Sequence, residues 1–470
     1  MAGRAEWHSF AVEYLTPAMA PHPKSTVSAG GPSTTGAPSA GDPYLPTSGN
    51  GGYLVDHYDL ALDYRVATNR LTATAVITAF ATSTLGKFSL DVAGLIVDKV
   101  TVGGSRPKAV KTTARKLVVT PIEAIEAGAE FVVEVRYHGS PHPIRSPWGD
   151  VGWEELADGV LVASQPNGAS SWFPCNDHPS NKATYDITVS CESAYQVVSN
   201  GDLISKTIGA SRTTWAYAVT EPMATYLAAV QIGHYRSTHS VAGDVPFGLY
   251  FPHHLAAAAA TDFGQVGAMI ELFTDRFGPY PFDRYSVVVT ADELEIPLEA
   301  HGMATFGSNH VDGAHGTDRL IAHELAHQWF GNSLTISRWQ DIWLHEGFAC
   351  YAEWLWAEAN GGETAQHSAV RHWALVNAQP KDIVVGDPGI PTLFDDRVYK
   401  RGALGLHAVR REIGDAAFFG GLRVLTGARR YASVGLADVV AAFAQTAPGA
   451  PVAAILDRWI YAAPLPRMPR

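Results

Sequence analysis

Near residue 240 the spacing of apolar residues changes from every second position to every third or fourth, so the two halves of the chain cannot share one architecture. Upstream, Tyr58, Leu60, Leu62, Tyr64 and Val66 fall on one face of an extended segment, and Asp59, Asp63 and Arg65 fall on the other. This predicts a half-buried strand. Ala67-Thr68-Asn69 reads as a turn, and Leu71, Ala73, Ala75, Ile77 and Ala79 alternate with Thr72, Thr74, Val76 and Thr78 in a second strand. Similar alternation at 132–137, 185–189 and 213–218 points to an all-β saddle or sandwich. Downstream, Phe263, Val266, Ile270, Phe273 and Phe277 keep helical spacing, with Thr261 as a cap and Gly278-Pro279 as the stop. Helices are also expected over 318–330, 342–359, 402–413 and 436–445, with a valine-rich strand at 285–290.

From Ser28 to Gly41 every residue is Gly, Ala, Ser, Thr or Pro, a composition that buries too little apolar area to offset its ordering entropy. The expected organisation is therefore a flexible tail over residues 1–45, a β domain over 46–240 and a mainly α domain over 241–466. A net charge of −12 argues against nucleic acid as a partner. No apolar run approaches the roughly 18 residues of a membrane span, and the first twenty residues show no signal-peptide core. The three cysteines, Cys175, Cys191 and Cys350, form no CxxC and leave an odd total, which points to a reducing, cytoplasmic setting.

The expected helix over 318–330 contains His323-Glu324-Leu325-Ala326-His327. Two histidines four apart share one helix face, close enough for both imidazoles to reach one ion, and Glu324 stands beside that face, placed to hold a water rather than the metal. Glu346, on the next helix, supplies a third ligand. Two His and one Glu leave a tetrahedral zinc with one open position, the arrangement of a catalytic site, and one Zn2+ per chain is expected. His345, beside Glu346, points elsewhere and reads as a structural or outer-shell residue. Asp341 either caps the helix of Glu346 or orients a zinc histidine. Glu353 reads as a salt-bridge partner, and Cys350 as packing.

The runs His323-Glu324-Leu325-Ala326-His327-Gln328-Trp329-Phe330-Gly331-Asn332 and Trp339-Gln340-Asp341-Ile342-Trp343-Leu344-His345-Glu346-Gly347-Phe348-Ala349 resemble the zinc aminopeptidases of the aminopeptidase N and leukotriene hydrolase type. The resemblance extends to Phe173-Pro174-Cys175-Asn176-Asp177-His178-Pro179 with Lys182-Ala183, to Tyr399-Lys400-Arg401-Gly402-Ala403 and to Trp459-Ile460-Tyr461. It covers about residues 42 to 466, as a short form without the large C-terminal helical domain of most relatives. It implies a thermolysin-like, mainly α zinc-peptidase domain behind the β domain.

By this resemblance Glu324 activates the water and Tyr399 donates to the oxyanion, with Arg401 standing where lysine is usual. The exopeptidase signature is altered here to Ile296-Pro297-Leu298-Glu299-Ala300, and Glu299 carries over as the residue that binds the substrate amine. Gln165 matches a second amine-contacting position. The implied function is removal of the first residue from peptides with a free N-terminus. Two alternatives are epoxide hydrolysis, as in one branch of the family, and an inactive zinc-binding scaffold. Retention of all three ligands with Glu324 and Tyr399 argues against the scaffold.

Overall fold

The alternation at residues 58–66 becomes the strand Tyr53–Arg65, in which Tyr58, Leu60, Leu62 and Tyr64 are buried and their neighbours face solvent. Val66 lies just past the strand, in the short 3-10 turn Val66–Thr68. Asn69 closes the hairpin in the left-handed region, at φ 43°, and the partner strand Arg70–Ala81 follows. A computed structural model describes residues 34–468; residues 1–33, where most of the expected tail falls, lie outside the described residues.

The hairpin sits inside a seven-stranded sheet of order Asp202–Ile208, Arg212–Ala224, Lys182–Glu192, Tyr53–Arg65, Arg70–Ala81, Glu130–Gly139 and Ile96–Val102. Tyr53–Arg65 runs parallel to Lys182–Glu192, with Tyr58 opposite Tyr185 and their rings stacked at 4.9 Å. A second sheet, of order Gln196–Ser199, Val230–Gly233, Gly159–Ala163, Gly149–Leu156 and Ile144–Ser146, carries Gln165 just beyond Gly159–Ala163.

A third sheet, of order Tyr235–Ala242, Val245–Pro252, Tyr285–Val289, Met303–Phe306 and Leu298–Ala300, packs with the helices. The expected border at residue 240 therefore falls inside a strand, because Tyr235–Ala242 pairs with Val245–Pro252 and not with the β half. Its edge strand Leu298–Ala300 holds Glu299.

Helix Val266–Phe277 buries Val266, Met269, Ile270, Phe273 and Phe277 as the spacing requires. Thr261 does not cap it; its hydroxyl donates to Ala257 O inside the preceding helix Ala256–Asp262. The expected helix over 402–413 starts earlier, as Asp396–Ile413 with Asp395 at its cap, so Tyr399 stands on a helix. The end of the expected tail is anchored: Asp42, Tyr44 and Leu45 are buried, and Asp42 accepts from Trp339 N at 2.9 Å. The alanine-, glycine- and serine-rich run stops short of this anchor, so composition alone placed the end of the tail too late. Among the described residues no helix is long and apolar enough to cross a membrane.

Candidate active site

Helix Asp318–Ala326 carries His323 and Glu324, and His327 is the residue that closes it. Helix Trp343–Ala359 brings Glu346 against them. His323 Nε2 lies 3.3 Å and His327 Nε2 3.5 Å from the same oxygen, Glu346 Oε2, and all three side chains are buried. The other ring nitrogens are occupied: His323 Nδ1 donates to Glu353 Oε1 at 2.8 Å, and His327 Nδ1 donates to Phe330 O at 3.0 Å. Two imidazoles and one carboxylate, with their Nε2 and Oε2 atoms converging in a buried site, are a zinc donor set, and a bound cation would take the place of the protons that the two imidazoles otherwise share with Glu346.

The electrostatics point the same way. Burial disfavours charge on His327, yet the carboxylates of Glu346 and Glu299 outweigh it and push the imidazole up to about 9. Burial also opposes ionisation of Glu346, but the two histidines hold its carboxyl below the usual range. Glu324 is pushed up to about 7, chiefly by burial, with the two imidazoles acting in the opposite direction. Its Oε2 is buried without a hydrogen-bond partner, an atom free to take a proton.

Tyr399 lies on the far wall, its ring stacked on His323 with 6.0 Å between centroids. Burial, with Glu346, Glu299 and Glu324, raises its phenol well above the ordinary value, so it keeps its O–H. The helices meet where Gly347 faces Gly402; a Cβ at Gly347 would lie 2.9 Å from Gly402 Cα. That close approach sets Glu346 beside Tyr399. Glu299 Oε1 accepts from Gln165 Nε2 at 2.7 Å, a bond that joins the two residues expected at the substrate amine. Pro297 precedes this edge strand and offers no N–H. All these groups line one cleft of about 1340 Å³.

One expectation changes. Asp341 neither caps the helix nor touches a histidine; it accepts from Tyr461 OH at 3.5 Å, and the helix has no side-chain cap. The orienting acceptor is Glu353, which also accepts from Arg319 at 3.0 Å. Glu353, expected as a salt-bridge partner, is one, and standing two helical turns after Glu346 it shares that residue's face and so reaches His323 as well. His345 accepts from Ile336 N through Nε2 and, held neutral chiefly by burial, is pulled down to about 3. Arg401 turns away from the cleft: its guanidinium donates to the carbonyls of Arg458, Trp459, Ala462, Ala463 and Pro464. Trp148, not expected at the site, donates to Ile390 O at 2.6 Å and packs edge-on against Phe394. This contact joins the β half to the helical half at the cleft rim.

The Peptidase M1 N-terminal domain family matches residues 55–227, and the Peptidase family M1 domain matches residues 262–459. Aminopeptidase N of Streptomyces lividans is 29% identical over 302 residues, 58% of this chain and 34% of that protein. Alanine/arginine aminopeptidase of Saccharomyces cerevisiae is 27% identical over 314 residues, 61% of this chain and 36% of that protein. The chain thus spans about a third of the length of these two relatives. The crystal structure of an M1 zinc metallopeptidase from Deinococcus radiodurans superposes with a TM-score of 0.83 at 29% identity, covering 92% of this chain and 99% of that one. A mutant of that enzyme gives a TM-score of 0.82 at 30% identity, covering 92% and 100%. Paired catalytic and N-terminal matches, with the His-His-Glu cluster inside the catalytic match, establish that the chain belongs to the M1 family of zinc metallopeptidases.

Proposed function

We propose that the protein is a zinc aminopeptidase that removes the first residue from peptides with a free N-terminus. The observation that carries this reading is the Gln165–Glu299 pair beside the His323, His327 and Glu346 cluster. A carboxylate held at one end of a cleft pairs with a protonated α-amine and leaves the first peptide bond at the reacting groups. A structure of the Deinococcus radiodurans relative holds a Tyr-Ser-Ala substrate, which supports a short peptide as the ligand class.

His323, His327 and Glu346 would hold the metal, and Glu353 and Phe330 O fix the two imidazoles by their Nδ1 protons. Bound zinc supplies a Lewis acid for the scissile carbonyl and lowers the pKa of a water. Glu324 takes a proton from the attacking water and passes it to the leaving amine. Tyr399 donates its O–H to the developing oxyanion. Glu299, oriented by Gln165, binds the substrate ammonium, which sets the first bond as the one cut. All three cysteines are buried free thiols, which supports a reducing compartment, and we place the protein in the cytoplasm.

The test is a pair of peptides identical except for N-acetylation, assayed with wild type and Glu299→Ala. Wild type should cut only the free-amine peptide, at its first bond. Glu299→Ala should lose about 10² to 10³ in kcat/KM, the equivalent of about 3 to 4 kcal/mol and within the range for a charge pair broken in a desolvated site. Equal cleavage of both peptides by wild type, or cleavage at internal bonds, overturns the reading.

A further inference from the structure

Beyond the last residue of helix Asp318–Ala326, the chain makes a wide turn whose amides are spent on the helix end. Asn332 N donates to His327 O at 2.9 Å, Ser333 N to Gln328 O at 3.1 Å, and Leu334 N to Trp329 O at 3.0 Å. The carbonyls of Asn332 and Ser333 are left facing the β half. There Lys182, first residue of the strand Lys182–Glu192, donates from Nζ to Asn332 O at 3.1 Å and to Ser333 O at 2.7 Å. Tyr226 adds a third bond from the same side, its hydroxyl donating to Gly331 O at 3.1 Å.

Lys182 has backbone carbonyls as its hydrogen-bond partners and no carboxylate. Burial pulls its ammonium down to about 7 with no acidic group offsetting it. The Nζ of a lysine carries enough N–H donors to hold both carbonyls at once.

The turn reaches both sides of the active site. It grips His327 twice, through Asn332 N on the His327 carbonyl and through Phe330 O on Nδ1. The side chain of Asn332 donates to Ala300 O at 2.8 Å, next to Glu299. A shift of this turn therefore moves a metal ligand and the amine anchor together.

We propose that Lys182 is a positioning residue of the β half, which fixes the 330–333 turn and through it the stance of His327 and Glu299. The inference rests on the aminopeptidase reading above. It makes the β half a part of the metal site's geometry as well as the carrier of Gln165.

The experiment compares the zinc-loaded full chain as wild type, Lys182→Met and Lys182→Arg. Folding is followed by circular dichroism, zinc loss to a chelator by stopped flow, the Co2+-substituted protein by its visible bands, and kcat and KM with a free-amine peptide. Folded Lys182→Met should lose zinc at least ~10-fold faster, as for loss of an outer-shell support. Its Co2+ bands should move, kcat should fall and KM should rise. Lys182→Arg, which keeps a charged donor, should recover most of the zinc retention. If Lys182→Met does not fold, amine labelling of wild type decides. Coupling is reciprocal, so Lys182 should label several-fold faster in the metal-stripped protein than in the zinc-loaded one. Wild-type zinc loss and Co2+ bands in folded Lys182→Met, or equal labelling of Lys182 in both states, overturns the inference. Absence of stoichiometric zinc from wild type would instead sink the aminopeptidase reading itself.

Discussion

Gly347 and Gly402 pass each other with no room for a side chain: a Cβ on Gly402 would lie 2.8 Å from Gly347 Cα, and one on Gly347 would lie 2.9 Å from Gly402 Cα. Because the obstacle is backbone on both sides, neither helix can give way cheaply. Gly402→Ala should therefore push helix Asp396–Ile413 away from Trp343–Ala359. Overpacking of this kind costs about 1 to 3 kcal/mol. Tyr399 would retreat from Glu346, so kcat should fall with little change in KM. Denaturant unfolding and steady-state kinetics on the one variant check both effects.

Glu324→Gln should keep stoichiometric zinc and lose at least ~10² in kcat, since an amide can hold the water but cannot accept its proton. Tyr399→Phe, by removing an oxyanion donor, should lose roughly 10² to 10³. His327→Ala should lose metal and activity together. Elemental analysis beside the kinetics separates the three, and near-normal turnover in zinc-loaded Glu324→Gln would move the base elsewhere.

The acceptor that orients His323 invites a separate test. Glu353→Leu removes the partner of His323 Nδ1 and leaves Arg319 facing an apolar side chain. Zinc affinity should drop about 10- to 100-fold. Glu353→Gln retains an acceptor oxygen and should recover much of that loss, as read by chelator competition.

How far the sequence reached follows from which relationships are local. His323 and His327 are neighbours by helix geometry alone, and Tyr58 to Tyr64 alternate by strand geometry alone, so both were legible. Glu299 was found by its likeness to a known motif, because its strand reaches the site only through the pairing of Leu298–Ala300 with Met303–Phe306. Glu353 reads from the sequence as a salt-bridge partner and is one, to Arg319, but its bond to His323 depends on how two helices pack. Asp341 had the composition of a cap and sits one residue too early, in the 3-10 turn Trp339–Asp341. Trp148 and Phe394 meet across most of the chain, and nothing local announces either. The anchoring of Asp42 by Trp339 N is of the same kind.

Metal uptake should depend on pH in a defined sense. In the metal-free protein His327 titrates at about 9, against 6.5 for the ordinary imidazole, as the carboxylates outweigh its burial. Zinc must displace that proton and the one on His323, whose imidazole burial pulls down but its carboxylate partners Glu346 and Glu353 raise well above the ordinary value. Apparent zinc affinity should therefore rise with pH across the range from 6.5 to 9. The charge of His327 also stabilises the metal-free fold fully below pH 6.5, and that contribution is lost as pH rises through about 9. The gain in melting temperature on adding zinc should accordingly grow across this window. Calorimetric melts with and without zinc at several pH values measure it, and a gain that shrinks from pH 6.5 to 9 would contradict the assignment.

The last expectation concerns the cleft rim. Trp148 belongs to the turn between strands Ile144–Ser146 and Gly149–Leu156, on the β half, while Ile390 and Phe394 belong to the helical half. The loop it reaches is held from a second direction, since Tyr44 OH donates to Asp387 and accepts from Gly389 N. The turn bearing Trp148 is held as well, since Ser146 Oγ accepts from Trp148 N at 3.1 Å and donates to Gly149 O at 2.7 Å, so the indole bond joins two braced segments. That bond is worth about 1 kcal/mol, close to a fivefold bias toward the joined rim seen in the structure. Trp148→Ala should remove that bias and the edge-on packing against Phe394. A narrow rim favours short peptides, so the variant should process long peptides relatively better. The ratio of kcat/KM for a tripeptide to that for a decapeptide of the same N-terminal sequence should fall by about threefold to fivefold, in line with the lost bias. Zinc content and the preference for a free amine should stay as in wild type, because neither rests on the rim. An unchanged ratio would mean that Trp148 packs the two halves together without governing which peptides enter.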